Sequence, residues 1–282
     1  MQDESKSLEL PESFLRHRMQ RREILRMVAL AGTGAAAALV FDGNSWARPL
    51  LSPQSGQDTQ PNVDIQTVQI PTDDGNISGA LMKPTGAGKL PGLLMVHADR
   101  GLNNLFLGFA RKLAADGFVV LAPDLLSRAG GSAKFNFAQA GRETAQLDPD
   151  STVADVKASY NSLAKDSGVD AQKISAVGFG WGVWRVFMLA QEVPSLHRAV
   201  VFFGTTPADG LDKIRTPFFE HYAQLDFRVT GNAIWTEKVL GKNFSYYVYP
   251  KTNQQFFYEG TPGYNADAAA LAWKKTFEFL RS

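Results

Sequence analysis

Between Ala176 and Ala190 the chain reads AVGFGWGVWRVFMLA: a short apolar run, three glycines at alternate positions, then a second apolar run. This is how a buried strand turning sharply into a helix is written, and in the spacing G-x-S-x-G the central residue is the nucleophile of acyl transfer. Here Gly178 and Gly182 flank a third glycine, Gly180, which has no hydroxyl or thiol to attack a carbonyl. No cysteine occurs in the 282 residues, which excludes a thiolate nucleophile, disulfides, cysteine zinc sites and a lipid-modified export cysteine. As a phosphate cradle the glycines have the wrong spacing: G-x-G-x-G in place of G-x-G-x-x-G. The next apolar run, RAVVFFG, also ends in Gly204 where a dinucleotide site needs an acid. No nucleotide cofactor and no metal are expected. Glycine at the centre of such a turn accepts a strained backbone cheaply, so Gly180 favours the fold while removing the nucleophile. Three histidines follow the N-terminal region. His97 ends an apolar run, His221 lies inside another, and His197 precedes a third, so ordinary structural roles account for all of them. Ser127 and Ser175 lie outside the turn, where neither strain nor a helix N-terminus activates a hydroxyl.

The elements that must hold these residues are legible from the alternation of extended apolar and amphipathic segments. VDIQTVQI and ISGALMKP read as a hairpin and GLLMVH as the first fully buried strand. A helix follows around 105–116, then the strand FVVLAPD, a helix around 151–165, the strand KISAVGF and the helix after the glycines. RAVVFFG, TPFFEHY, a helix around 232–240, FSYYVYP and a helix from about 266 to 280 complete the order. Strands apolar on both faces are covered on both sides, so the fold class is α/β, a mostly parallel doubly wound sheet with helices on both faces. Its site lies at the carboxyl ends of the strands.

Several blocks in order, VHADRGLN (96–103), LAPDLLSR (121–128), AVGFGWG (176–182), HYAQLD (221–226), YPKTNQQFF (249–257) and ALAWKKTFEFL (270–280), resemble the dienelactone hydrolase family of α/β-hydrolases over about 63–280. The resemblance implies an α/β-hydrolase fold and hydrolysis of lactones or related esters by a cysteine or serine nucleophile, an aspartate and a histidine. Carried over position by position, the nucleophile falls on Gly180, the acid on Asp226 and the histidine on Gln254. A glutamate that controls the nucleophile falls on Ala98. Only the acid is kept. A glutamine amide does not take up a proton near neutral pH, and losing a triad nucleophile or base costs on the order of 10⁶ in turnover. Arg128 matches a family arginine that helps bind a substrate carboxylate, and Arg100 lies near the same rim; each reads equally as a salt-bridge partner. Tyr258 stands where the family has a second arginine. Trp181 and Trp184 replace small residues and would narrow or fill the site, unless Trp184 faces the core.

Ahead of this domain, QRREILRM (20–27), a weakly apolar run from Val28 to Phe41 and NSWA ending at Ala47 have the order of an export signal. Arg21 and Arg22 resemble the twin-arginine address. Residues 1–47 are therefore expected to be a signal peptide, 48–62 a polar linker and 63–282 the folded domain, delivered to the periplasm or outside. About 14 apolar residues fall short of the ~20 needed to span a bilayer, so no stable membrane span is expected after cleavage. With 29 basic and 28 acidic side chains there is no field to draw nucleic acid. The expected partner is a small-molecule ester, lactone or carboxylate ligand; no protein partner is indicated. The sequence reads as a binding or accessory protein on a degenerate hydrolase scaffold, the alternative being a residual or altered hydrolase.

Overall fold

The structure is a computed structural model and describes residues 63–86, 88–226 and 228–282. The expected signal peptide and the whole expected linker, residues 1–62, lie outside the described residues. Eight strands form one sheet: β1 (Val63–Thr72), β2 (Gly75–Pro84), β3 (Leu90–Val96), β4 (Val119–Pro123), β5 (Val169–Phe179), β6 (Ala199–Phe202), β7 (Phe218–Ala223) and β8 (Phe244–Tyr249). Their spatial order is β1-β2-β4-β3-β5-β6-β7-β8. β1 and β2 form the expected hairpin, paired from Val63↔Pro84 to Thr72↔Gly75, and β2 meets β4 antiparallel. Every pair from β4/β3 to β7/β8 is parallel.

Residues alternate between the two faces of each strand. In β3, Leu94 and Val96 join one core layer, with Val156, Leu163, Val183 and Phe187. Leu93 and Met95 join the other, with Phe106, Leu113, Ala269 and Ala272. Helices α1 (Asn104–Ala115) and α6 (Ala266–Arg281) thus cover one face. Helices α3 (Pro149–Ala164), α4 (Trp181–Glu192) and α5 (Arg228–Leu240) cover the other. Polar side chains start these helices where the chain leaves a loop: Asn103 accepts from the N–H groups of Leu105 and Phe106, Asp148 from Ser151, and Asn265 from Ala268. Helix α4 has no such cap, because the residue before it is Gly180.

One helix was not expected from the sequence. Helix α2 (Phe137–Gln146) follows β4 and two 3₁₀ turns and opens with a capping box between Asn136 and Gln139. No helix among the described residues is long and apolar enough to cross a membrane.

Candidate active site

The turn from β5 into α4 has the geometry that its glycines imply. Gly180 sits at φ 49°, ψ −109°, a conformation that side-chain-bearing residues rarely adopt. It is held there by its N–H donating to Phe202 O (2.8 Å) and its carbonyl accepting from Val183 N–H (3.2 Å). The flanking glycines serve a different purpose. A Cβ on Gly182 would stand 2.6 Å from His97 O and 2.7 Å from Val96 O, and one on Gly178 would stand 2.8 Å from Val186 Cγ2. They let strand and helix approach closely. At Gly180 a Cβ would meet only the Ala98 Cβ, at 3.5 Å, apart from its chain neighbours, which is ordinary contact. The nucleophile position is sterically open, and Ala98 faces it.

Two loops bring Asp226 and Gln254, the other two positions expected for a triad, together. After β7 the chain turns through Gln224 and Leu225 to Asp226, which is buried. After β8 it turns through Lys251 (φ 57°) to a 3₁₀ turn at Gln254–Phe257. Gln224 N–H donates to Tyr249 O (3.1 Å), Leu225 N–H to Thr252 O (2.8 Å) and Lys251 N–H to the Gln224 side-chain oxygen (2.7 Å). Across this seam the Gln254 amide Nε2 donates to Asp226 Oδ2. An amide therefore occupies the carboxylate contact that an imidazole has in a working triad.

The rim residues have separate environments. Arg128 donates from Nη2 to Asp155 Oδ1 (2.7 Å) and Thr72 Oγ1 (3.0 Å), from Nε to Asp155 Oδ2 (3.3 Å) and from Nη1 to Asp74 O (3.2 Å). It braces the β1–β2 hairpin against α3, and the Asp155 contact raises its already high pKa. Arg100 pairs with Asp99 (3.3 Å) and lies over the Phe137 ring at 4.4 Å, on α2. Tyr258 packs against Phe106, Phe109 and Phe203; burial, helped by the nearby Asp99 charge, raises its hydroxyl pKa, so it remains a proton donor. Trp181 lies parallel to His97 (centroids 6.1 Å, planes 11° apart) and has the Arg185 guanidinium 3.4 Å from its ring centre. Trp184 is half-buried, with the same guanidinium 5.2 Å from its ring.

His97 and His221 have identifiable tautomers. His97 Nε2 accepts from Leu125 N–H (3.1 Å), so its proton is on Nδ1 and goes to Ala98 O (2.8 Å). Burial lowers its pKa, which keeps the ring neutral. Thr276 donates its hydroxyl to Ala272 O and so accepts from His221 Nε2 (3.0 Å). His221 Nδ1 then accepts from the Tyr249 hydroxyl (2.8 Å). Both nitrogens of both rings are engaged, and neither ring is bonded to a serine.

Sequence reasoning passed over three groups near the elbow. Asp124 accepts from Leu126 N–H, Ser132 N–H and Ser132 Oγ, and Ser132 Oγ accepts from Leu102 N–H (2.8 Å), which ties the loop after β4 to the loop after β3. Phe203, at φ 57°, holds its strained backbone by donating to His221 O (3.1 Å). Arg185, inside the WGVWR run, is buried. Among the described residues no group of three or more His, Cys, Asp or Glu side chains could hold a metal ion.

Known proteins agree with this architecture. The dienelactone hydrolase family profile matches residues 77–282. A "Putative carboxymethylenebutenolidase" of Synechocystis sp. is 24% identical over 242 residues, which cover 78% of this chain and 98% of that one. A protein of the same name from Methylorubrum extorquens is 26% identical over 231 residues, 76% of this chain and 79% of the other. The crystal structure of a "Putative Dienelactone Hydrolase" from Klebsiella pneumoniae superposes with a TM-score of 0.71 at 20% identity, over 78% of this chain and 99% of that one. With the matched region running from β2 through the elbow and the loops after β7 and β8 to the last helix, the chain belongs to the dienelactone hydrolase family.

Proposed function

We propose that this protein is a non-catalytic binding or accessory member of its family, exported through the twin-arginine route as the Arg21–Arg22 motif suggests. The observation that carries the reading is Gly180 at the centre of an intact elbow. The backbone keeps the conformation that aims a nucleophile, yet no atom is there to attack. Gln254 supports it, because an amide donating to Asp226 cannot take a proton from an incoming hydroxyl. The scaffold around these positions is that of an enzyme for esters or lactones, and a small ligand of that chemistry, or a carboxylate, is the natural occupant.

The test is Gly180→Ser with Gln254→His, assayed on a short-chain aryl ester beside the unchanged protein. The unchanged protein should show no turnover above an Asp226→Asn background. The double variant should show weak activity exceeding either single change, because nucleophile and base act as a unit. Turnover by the unchanged protein that disappears on replacing Asp226 would refute the reading in favour of a residual hydrolase.

A further inference from the structure

We infer that Arg185 forms an anion subsite beside the elbow, built for a small carboxylate or a similar two-oxygen monoanion; the inference rests on the ligand-binding reading above and gives that ligand its charge. Arg185 is only 7% exposed. Its Nε donates to Thr152 Oγ1 (3.2 Å) and its Nη1 to Trp181 O (3.1 Å), both neutral acceptors. No carboxylate among the described residues pairs with it: the aspartates and glutamates in ion pairs meet Lys83, Arg100, Arg128, Lys157, Lys173, Lys274 or Arg281. The nearby Asp124 is held by Ser132 and Leu126, and His97 is locked neutral. Burial with no opposing charge brings the guanidinium down to about 10, still fully protonated at neutral pH.

A buried cation without a counter-ion is costly, and the cost is relieved when an anion arrives. The guanidinium is prepared for that. Trp181 backs one face, and Thr152 and the Trp181 carbonyl fix its plane, so little freedom is lost on binding. Of its five N–H donors two are engaged, leaving one on Nη1 and both on Nη2. None of the described residues accepts from Nη2. This free edge is a fork for two coplanar oxygens carrying one negative charge. Arg128 is different, because Asp155 already neutralises it.

Acetate titrated into the full-length protein, with chloride at equal ionic strength as the control, tests this by tryptophan fluorescence, ¹³C-acetate line broadening and thermal midpoint. A saturable response is expected in the unchanged protein and in Lys157→Met, which removes an exposed cation. At a tenfold excess over Kd the folding constant rises about elevenfold, which moves the midpoint by roughly 3–6 °C in a domain of this size. Arg185→Met should weaken acetate binding at least about tenfold, and Arg185→Lys, a point charge without the fork, should also bind more weakly. No saturable response up to about 0.1 M, where chloride already screens exposed pairs, overturns the inference. So does an Arg185→Met that binds as the unchanged protein does; if that variant fails to fold, a Lys variant with unchanged affinity does the same. Esterase turnover by the unchanged protein would refute the non-catalytic reading without touching this one, whereas indifference to acetate would refute this one without supplying a nucleophile.

Discussion

Glu220 lies in the middle of β7 with no exposed surface, and neither carboxyl oxygen makes a hydrogen bond. The Tyr222 hydroxyl, two residues on and on the same face, draws its pKa slightly down but is itself buried and without a hydrogen-bonding partner. Desolvation dominates and pushes Glu220 from an ordinary 4.5 up to about 8. At neutral pH the folded protein therefore holds a proton there that the unfolded chain has lost. Between 4.5 and 8 the native state binds more protons, so stability must fall as pH rises, by about 1.4 kcal/mol per pH unit. The contribution is fully present below 4.5 and gone above 8, and over that span it amounts to roughly 5 kcal/mol. Glu220→Gln keeps the shape and cannot ionise. Urea unfolding at a series of pH values from about 4 to 9 should give the unchanged protein a downward slope that the Gln variant lacks, so that the variant is the more stable of the two at the alkaline end. Parallel curves would refute the reasoning, since they would mean that Glu220 titrates alike in both states.

The elbow offers a matched pair of substitutions. Gly180→Ala should cost about 1–3 kcal/mol in a denaturant melt, from backbone strain alone, because its Cβ has room. Gly182→Ala should cost well over that and reach the exceptional range above about 4 kcal/mol, because its Cβ would meet two backbone carbonyl oxygens that cannot move aside. Changing Arg21 and Arg22 together to Lys should leave the protein in the cytoplasm, checked by fractionation and blotting; normal export would refute the twin-arginine reading.

Much of the sheet was legible because its central strands are apolar on both faces, as in GLLMVH and RAVVFF, and the glycines marked the elbow by position. Helix α2 escaped notice because the side chains it buries, Ala140 and Thr144, are small and the segment is polar on average, although Phe137, Ala140 and Thr144 recur at helical spacing and Asn136 and Gln139 spelled its capping box. β5 begins at Val169, before the apolar run that announced it, and a register shift between Pro91 and Gly92 hides the pairing of its first residues. At the site, the order of blocks pointed to Gly180, Asp226, Gln254 and Ala98, and the structure puts the Gln254 amide on Asp226 and Ala98 against the elbow. The partners of the arginines were not legible. Arg128 finds Asp155 only when α3 folds back along the sheet, and Arg185 is set apart from a surface arginine only once the fold buries it away from any carboxylate.

The elbow's three glycines have different histories open to them. Gly178 and Gly182 are held by contacts of the fold, so selection for folding alone keeps them whatever becomes of the chemistry. Gly180 is held by nothing but its backbone angle, and the space above it has stayed vacant, bordered by one alanine methyl. No other side chain among the described residues fills that point. A side chain introduced there would meet a modest strain and no collision, so the step still needed for chemistry is a base in place of the Gln254 amide.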